Sequence, residues 1–442
     1  MHLHEILILA LYLGLLPFVF VSPYAGVLLY YWMDWLPPDQ VYQDTLLPNN
    51  LSFTIGALTF LIWLVREKKT VPRPVLVIAL MALYFIWINV TWQFALDPVD
   101  GYFHWDRTIK VVGFAILTAQ MLSTRARLEA FVWTFVLAVM YYSVPSAIKV
   151  IVSGGGGGIG AGEVVASQGG MFGDRVSLSV VFAMALPFAL FLGRRTTLLP
   201  ARWLRWVKPA MLGVAASLVV SLIGTYARTA VFDGGAVLLM LVARGRQKIT
   251  AIVGAAVTLA VLLPFAPVSW FERMDTITHY QSDSSAMSRI SAWTWSWHFA
   301  LAHPIVGGGF GVFRLDAGHI FGRPGWLEAH NIFFEVMAQQ GFVGLAIFCF
   351  LIIAIYRSCA VVQKRVRGHE ELAWAADLAR ATQIALVGFV AGGSFVSIAT
   401  NPYLYLLGGI AIGTRGIVER ELAALSPGRL PASSRPVPQA AE

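Results

Sequence analysis

The residue types best suited to chemistry in this chain are one imidazole and a few arginines, each at the edge of an apolar run. His330 lies in LEAHNIFFEVMAQQGFVGL (327–345), where a polar loop turns into an apolar helix. Imidazole acts as a general base near neutral pH, although a histidine at a helix start also serves as a cap or a packed residue. Arg289 opens SRISAWTWSWHFALAHP (288–304). A guanidinium there can grip phosphate oxygens bidentately at every relevant pH, or snorkel to lipid headgroups. Arg228 sits in GTYARTAVFDGG (224–235), between two apolar runs and at a junction whose neighbours carry few charges. An ionisable residue in such a place is a functional candidate by default, and Asp233 is the alternative, a partner that would neutralise it. The cluster GGGFG (307–311) permits close approach of backbone to a ligand. Glu335 lies about a turn and a half past His330, placed to orient a hydroxyl or to pair internally.

Other chemistries fit poorly. His279, His298, His303, His319 and His330 share one loop but form no HxxxH pair, and the spacing of five between His298 and His303 misses the geometry of helical zinc pairs. No metal site and no cofactor are expected. No GxSxG nucleophile elbow appears. The run Gly154 to Gly158 lacks the Gly-Lys-Ser/Thr of a phosphate loop and reads as a plain linker.

The elements that position these residues are membrane helices. Of 442 residues, 57% are hydrophobic and 13% charged, with a mean hydropathy of +0.69. Soluble domains carry about a quarter charged residues, so the chain reads as an all-α polytopic membrane protein. Apolar runs of spanning length fall near 50–66, 73–92, 108–123, 129–152, 176–193, 208–226, 228–243, 248–267, 331–356, 381–399 and 402–416. The first 36 residues, interrupted by Pro17, Ser22 and Pro23, form either one crossing or two short segments. That gives about twelve spans in a single membrane domain, 1–425, with a Pro/Ala/Ser-rich tail at 426–442 expected to be disordered. The first apolar run has no basic n-region and no small-x-small site, so no cleavable leader is expected. Cys349 and Cys359, roughly 15 Å apart on one helix, cannot pair.

Charge sets the orientation. One set of loops is basic, around Arg66/Lys69, Arg125/Arg127, Arg194/Arg195/Arg205, Arg244/Arg246 and Arg357/Lys364/Arg365. The alternate set is acidic or neutral, around Asp97/Asp100, Asp174 and the long loop 268–330. The positive-inside rule places the basic set in the cytoplasm and the long loop in the periplasm. The net charge of +8 is then a topology signal and a contact with anionic lipid, and a nucleic-acid partner is not expected. Within the long loop, Ile290, Trp293, Trp297, Ala300 and Leu301 recur at helical spacing. They predict an amphipathic helix with indoles at headgroup depth.

In order, GTYART, SRISAW…HPIVGGGFG and AHNIFFEVMAQQGFVG resemble the O-antigen ligase and polymerase superfamily of bacterial membrane glycosyltransferases, over a core of about 208–356. The N-terminal half, with LGLLPFVFVSPYAGVLLYYWMDWLPP, resembles the O-glycosylation ligases found with exosortase systems. The resemblance implies about twelve helices with a large periplasmic loop in a bacterial inner membrane. It implies an undecaprenyl-pyrophosphate-linked glycan as donor, Arg228 and Arg289 on the pyrophosphate, and His330 activating an acceptor hydroxyl on a glycan, lipid or protein. One departure concerns FGDRVSLS (172–179): relatives often carry asparagine after an acidic residue there, whereas Asp174 is followed by Arg175. Arg175 either adds a phosphate contact or marks a loop for a different substrate. Two alternatives stay open: a polysaccharide polymerase of the same superfamily, and a lipid-linked glycan flippase or transporter. Against the transporter, charged residues within spans are few and no repeated halves are visible.

Overall fold

The structure is a computed structural model. It describes residues 3–36, 51–67, 69, 75–152, 174–244, 284–315 and 328–425. The expected span at 248–267, the glycine run 154–158, much of the long loop and the tail 426–442 lie outside the described residues.

Among the described residues the regular structure is helical. The helices are α1 (Leu3–Val21), α2 (Pro23–Trp35), α3 (Leu51–Arg66), α4 (Val75–Trp92), α5 (Pro98–Met121), α6 (Arg125–Val152), α7 (Arg175–Arg195), α8 (Ala201–Gly224), α9 (Thr229–Arg244), α10 (Ser284–Ala302), α11 (Val312–Leu315), α12 (Ile332–Arg365), α13 (Ala373–Gly393) and α14 (Tyr403–Leu425). Five are long and apolar enough to cross a membrane: α4, α6, α7, α8 and α12. In a bilayer a helix satisfies its backbone groups internally, which is why apolar runs of this length take that form. Helix α7 is the centre, with most of its apolar stretch buried, and α6, α8, α9 and α13 pack around it.

The two classes of loop separate to the two ends of the bundle. At the basic end Arg127 pairs with Glu67 (2.9 Å) and Arg195 with Asp377 (2.7 Å). Fully buried Glu129 accepts from Arg125 Nε (2.7 Å) and from the Thr197 backbone N–H (2.7 Å). These contacts tie the ends of α3, α6, α7 and α13 together. The first 36 residues resolve as two segments. The break at Ser22–Pro23 lies at the basic end, where Tyr24 Oη donates to the Arg127 carbonyl and Arg66 reaches the Val21 carbonyl (3.4 Å). Helix α2 therefore runs from the basic end toward the other end, and α1 is a separate piece.

The element that shapes the opposite end is the break in α12. Gly341 has φ 68° and ψ −176°, a region essentially reserved for glycine. The break frees three carbonyls, and each finds a donor. Gly308 N–H donates to Ala338 O (2.9 Å), Gly309 N–H to Gln339 O (2.9 Å) and Trp87 Nε1–H to Gln340 O (3.0 Å). Phe342 N–H donates to Pro304 O (2.8 Å). The glycine cluster thus serves this break, which corrects the expectation that it approaches a ligand. A Cβ at Gly307 would sit 2.6 Å from Ala338 O, and one at Gly309 2.6 Å from Ala95 Cβ.

The arrangement of α10 also differs from the expected headgroup anchor. Trp293 stacks on Phe334 of α12 at 5.6 Å, and Trp295 lies 5.5 Å from Phe313. Ala292, Ser296 and Ala300 are fully buried on the same side. The outward stripe is Met287, Ile290, Trp297 and Leu301. The helical spacing holds, but Trp293 and Ala300 belong to the protein face, because α12 offers an aromatic surface there.

Candidate active site

His330 is held by its neighbours on both sides. Trp293 Nε1–H donates to Ala329 O (2.8 Å), the His330 N–H donates to Ser397 Oγ (3.0 Å), and Asn331 Nδ2 donates to Ser394 O (3.0 Å). Asn331 is also the N-cap of α12, its Oδ1 accepting from Phe333 N–H (2.9 Å) and Phe334 N–H (3.3 Å). Capping satisfies donors that a helix start leaves open. Three consecutive residues are thereby anchored to α10 and to the loop between α13 and α14.

Backbone strain gathers at this end. Among the described residues, Tyr226 (φ 52°) and His330 (φ 51°) are the non-glycine residues with left-handed backbone. Such conformations cost on the order of 1–3 kcal/mol and persist where surrounding contacts enforce them. Tyr226 stands two residues before Arg228, in the turn between α8 and α9. There Thr225 Oγ1 accepts from the Ala227 N–H (3.2 Å).

The structure brings His330 and Arg289 into one electrostatic neighbourhood. Burial pushes the His330 imidazole below its ordinary pKa, the Arg289 guanidinium pushes it further, and Asp174 opposes both. The free imidazole is therefore neutral at neutral pH, the form a base requires. Arg289 lies on the inward face of α10, in register with Ala292 and Ser296.

Arg228 and Arg175 are half-buried at the same end. The helix that Arg228 precedes packs on the loop that anchors His330. Phe232, one turn along α9, stacks on Phe395 at 4.7 Å, in the α13–α14 loop that carries Ser394 and Ser397. The Asp233 carboxylate is buried and held by Ser179 Oγ (2.8 Å) and the Gly234 N–H (2.6 Å). Arg175 begins α7 directly after its cap, Asp174, which accepts from Val176 N–H (2.7 Å) and Ser177 N–H (3.0 Å).

Sequence reading assigned no role to Asp174, Ser394 or Ser397. Asp174 carried a readable cap signal, Asp-x-x-Ser before an apolar run. The serines carried none, because their partners lie more than sixty residues away. Glu335 is buried on α12 just below His330, with one carboxylate oxygen lacking a hydrogen-bond partner among the described residues.

Side chains of these types can bind an anion through the arginines and accept a proton at the imidazole. Residues 3–197 match a family of unknown function (DUF5935). No curated protein matches the chain. Residues 213–349, which carry Arg228, Arg289, the glycine cluster and His330, match the O-antigen ligase family, so the chain carries a domain of the O-antigen ligase superfamily within a membrane-embedded helical bundle.

Proposed function

We propose that the protein is a metal-independent, inverting glycosyltransferase. It moves a glycan from an undecaprenyl-pyrophosphate donor to an acceptor hydroxyl at the periplasmic face of a bacterial inner membrane. The single observation that carries this reading is His330, anchored through its backbone and with its pKa lowered by burial and by the charge of Arg289. The acceptor oxygen attacks the anomeric carbon from the face opposite the leaving group, and its proton passes to the His330 imidazole. The bond from the anomeric carbon to the pyrophosphate oxygen breaks, and its electron pair leaves on that oxygen. Arg228 and Arg289, with Arg175 at the rim, stabilise the charge that develops there. Fixed cations in a site shielded from water are suited to this task.

The donor also tunes the base. Its phosphates offset the field of Arg289, so His330 gains proton affinity when the donor is bound. The reading extends to about twelve spans and to a place among ligases of exosortase-type systems.

The test is transfer from a lipid-linked donor in membranes. His330→Ala should abolish transfer while the protein inserts and still binds undecaprenyl pyrophosphate. Normal transfer by that variant removes His330 from the mechanism. Product length separates the two members of the superfamily: one addition marks a ligase, and a ladder marks a polymerase.

A further inference from the structure

The N-terminal half holds two charged side chains that the mechanism above leaves unused. Helices α2 and α5 run antiparallel, since Tyr24 at the start of α2 and Met121 at the end of α5 both meet Arg127. They touch where the Tyr30 and Phe114 rings lie 3.8 Å apart. Asp34 is one turn beyond Tyr30 on α2, and Arg107 is two turns from Phe114 on α5, both toward the end that carries His330. Spacings of four and seven keep each on the face of its contacting ring. Tyr403, the first residue of α14, feels the charges of Arg107, Asp174 and Asp34, and Asp174 acts in turn on His330. The pair thus lies at the end of the bundle that carries His330, where it shares with Asp174 an influence on Tyr403.

Both residues are half-buried. Among the described residues Arg107 makes no hydrogen bond or ion pair, and one Asp34 carboxylate oxygen is buried without a hydrogen-bond partner. Opposite charges this close to an interior, yet not joined, keep unused donors on one side and unused acceptors on the other. A ligand with both hydrogen-bond roles would satisfy both. Sugar hydroxyls donate to a carboxylate and accept from a guanidinium, whereas a phosphate would meet the charge of Asp34.

We propose that Arg107 and Asp34 form a subsite for a sugar ring of the donor glycan, next to the pyrophosphate. The N-terminal half would then set sugar preference while the O-antigen ligase half performs transfer. This rests on the donor proposed above.

The experiment measures binding of two lipids to the purified full-length protein in nanodiscs: undecaprenyl pyrophosphate, and the same lipid carrying one hexose. Wild type should bind the glycosylated lipid more tightly. Asp34→Asn and Arg107→Gln should each remove about tenfold of that preference, the scale of one charge-assisted hydrogen bond. Affinity for the bare lipid should stay within twofold. No preference in wild type, or preference retained in both variants, overturns the proposal. Equal loss for both lipids identifies a phosphate contact and also overturns it. Lower thermal stability with unchanged affinities identifies an internal ion pair, and that outcome overturns it too. Arg289→Ala is the control: if it leaves binding of the bare lipid intact, the donor reading fails, whatever the hexose does.

Discussion

Asn331 offers a quantitative handle on how firmly His330 must be placed. Asn331→Ala removes the α12 cap, an oxygen that accepts from two backbone N–H groups at 2.9 and 3.3 Å, and the 3.0 Å tie to Ser394. Loss of such a cap costs about 0.5–2 kcal/mol, and a single neutral hydrogen bond adds about 0.5–1.5 kcal/mol. Together they amount to about 1–3.5 kcal/mol. If this falls wholly on the transition state, the rate drops about 5- to 400-fold. Asn331→Asp divides the two contributions. It keeps the capping oxygen, and its charge suits a helix N-terminus, but it sets an oxygen against the Ser394 carbonyl. A loss of about 3- to 10-fold is expected from that tie alone. Single-turnover transfer from a lipid-linked donor reads the rate directly. Donor affinity should not change, because the arginines are untouched. An alanine variant that is folded and within twofold of wild type would refute a positioning role for Asn331. Equal losses for both variants would refute the division into cap and tie.

Two further outcomes follow from the site and the helix break. Arg289→Gln removes a charge that holds the His330 pKa down, so the acid limb of kcat/KM should move to higher pH. Asp174→Asn removes an opposing charge and should move the limb to lower pH; a pH–rate profile in which neither moves would separate these residues from His330. Gly341→Ala forces a side chain into a glycine-only conformation, where its Cβ would also lie 2.8 Å from Pro304 O. It should destabilise the protein by at least about 2 kcal/mol, seen as a lower melting temperature in detergent.

Much of the bundle was legible because burial in lipid is a local requirement. The runs read at 73–92, 176–193 and 228–243 became Val75–Trp92, Arg175–Arg195 and Thr229–Arg244. The run read at 108–123 starts ten residues earlier, at Pro98. Its first turns are polar and escape a hydropathy reading, although Asp97 before Pro98 is a helix-start signal. The glycine cluster was misread because its partner, the break at Gly341, is thirty residues away and has no local signature beyond one glycine. The candidate residues were visible as types, since arginine and histidine stand out at the edges of apolar runs that otherwise carry few basic charges. Their arrangement was not, because it depends on Ser394 and Ser397, which meet His330 and Asn331 only in the folded bundle. Asp34 was visible as an acid within an apolar run, but nothing near it in sequence pointed to Arg107.

The most direct measurement is a structure of the full-length protein with undecaprenyl pyrophosphate bound. The account predicts the guanidinium groups of Arg228 and Arg289 within hydrogen-bond distance of the two phosphates. It also predicts His330 facing the oxygen to which the sugar would be attached. Phosphates held elsewhere, or Arg228 and Arg289 opening into separate pockets, would contradict it.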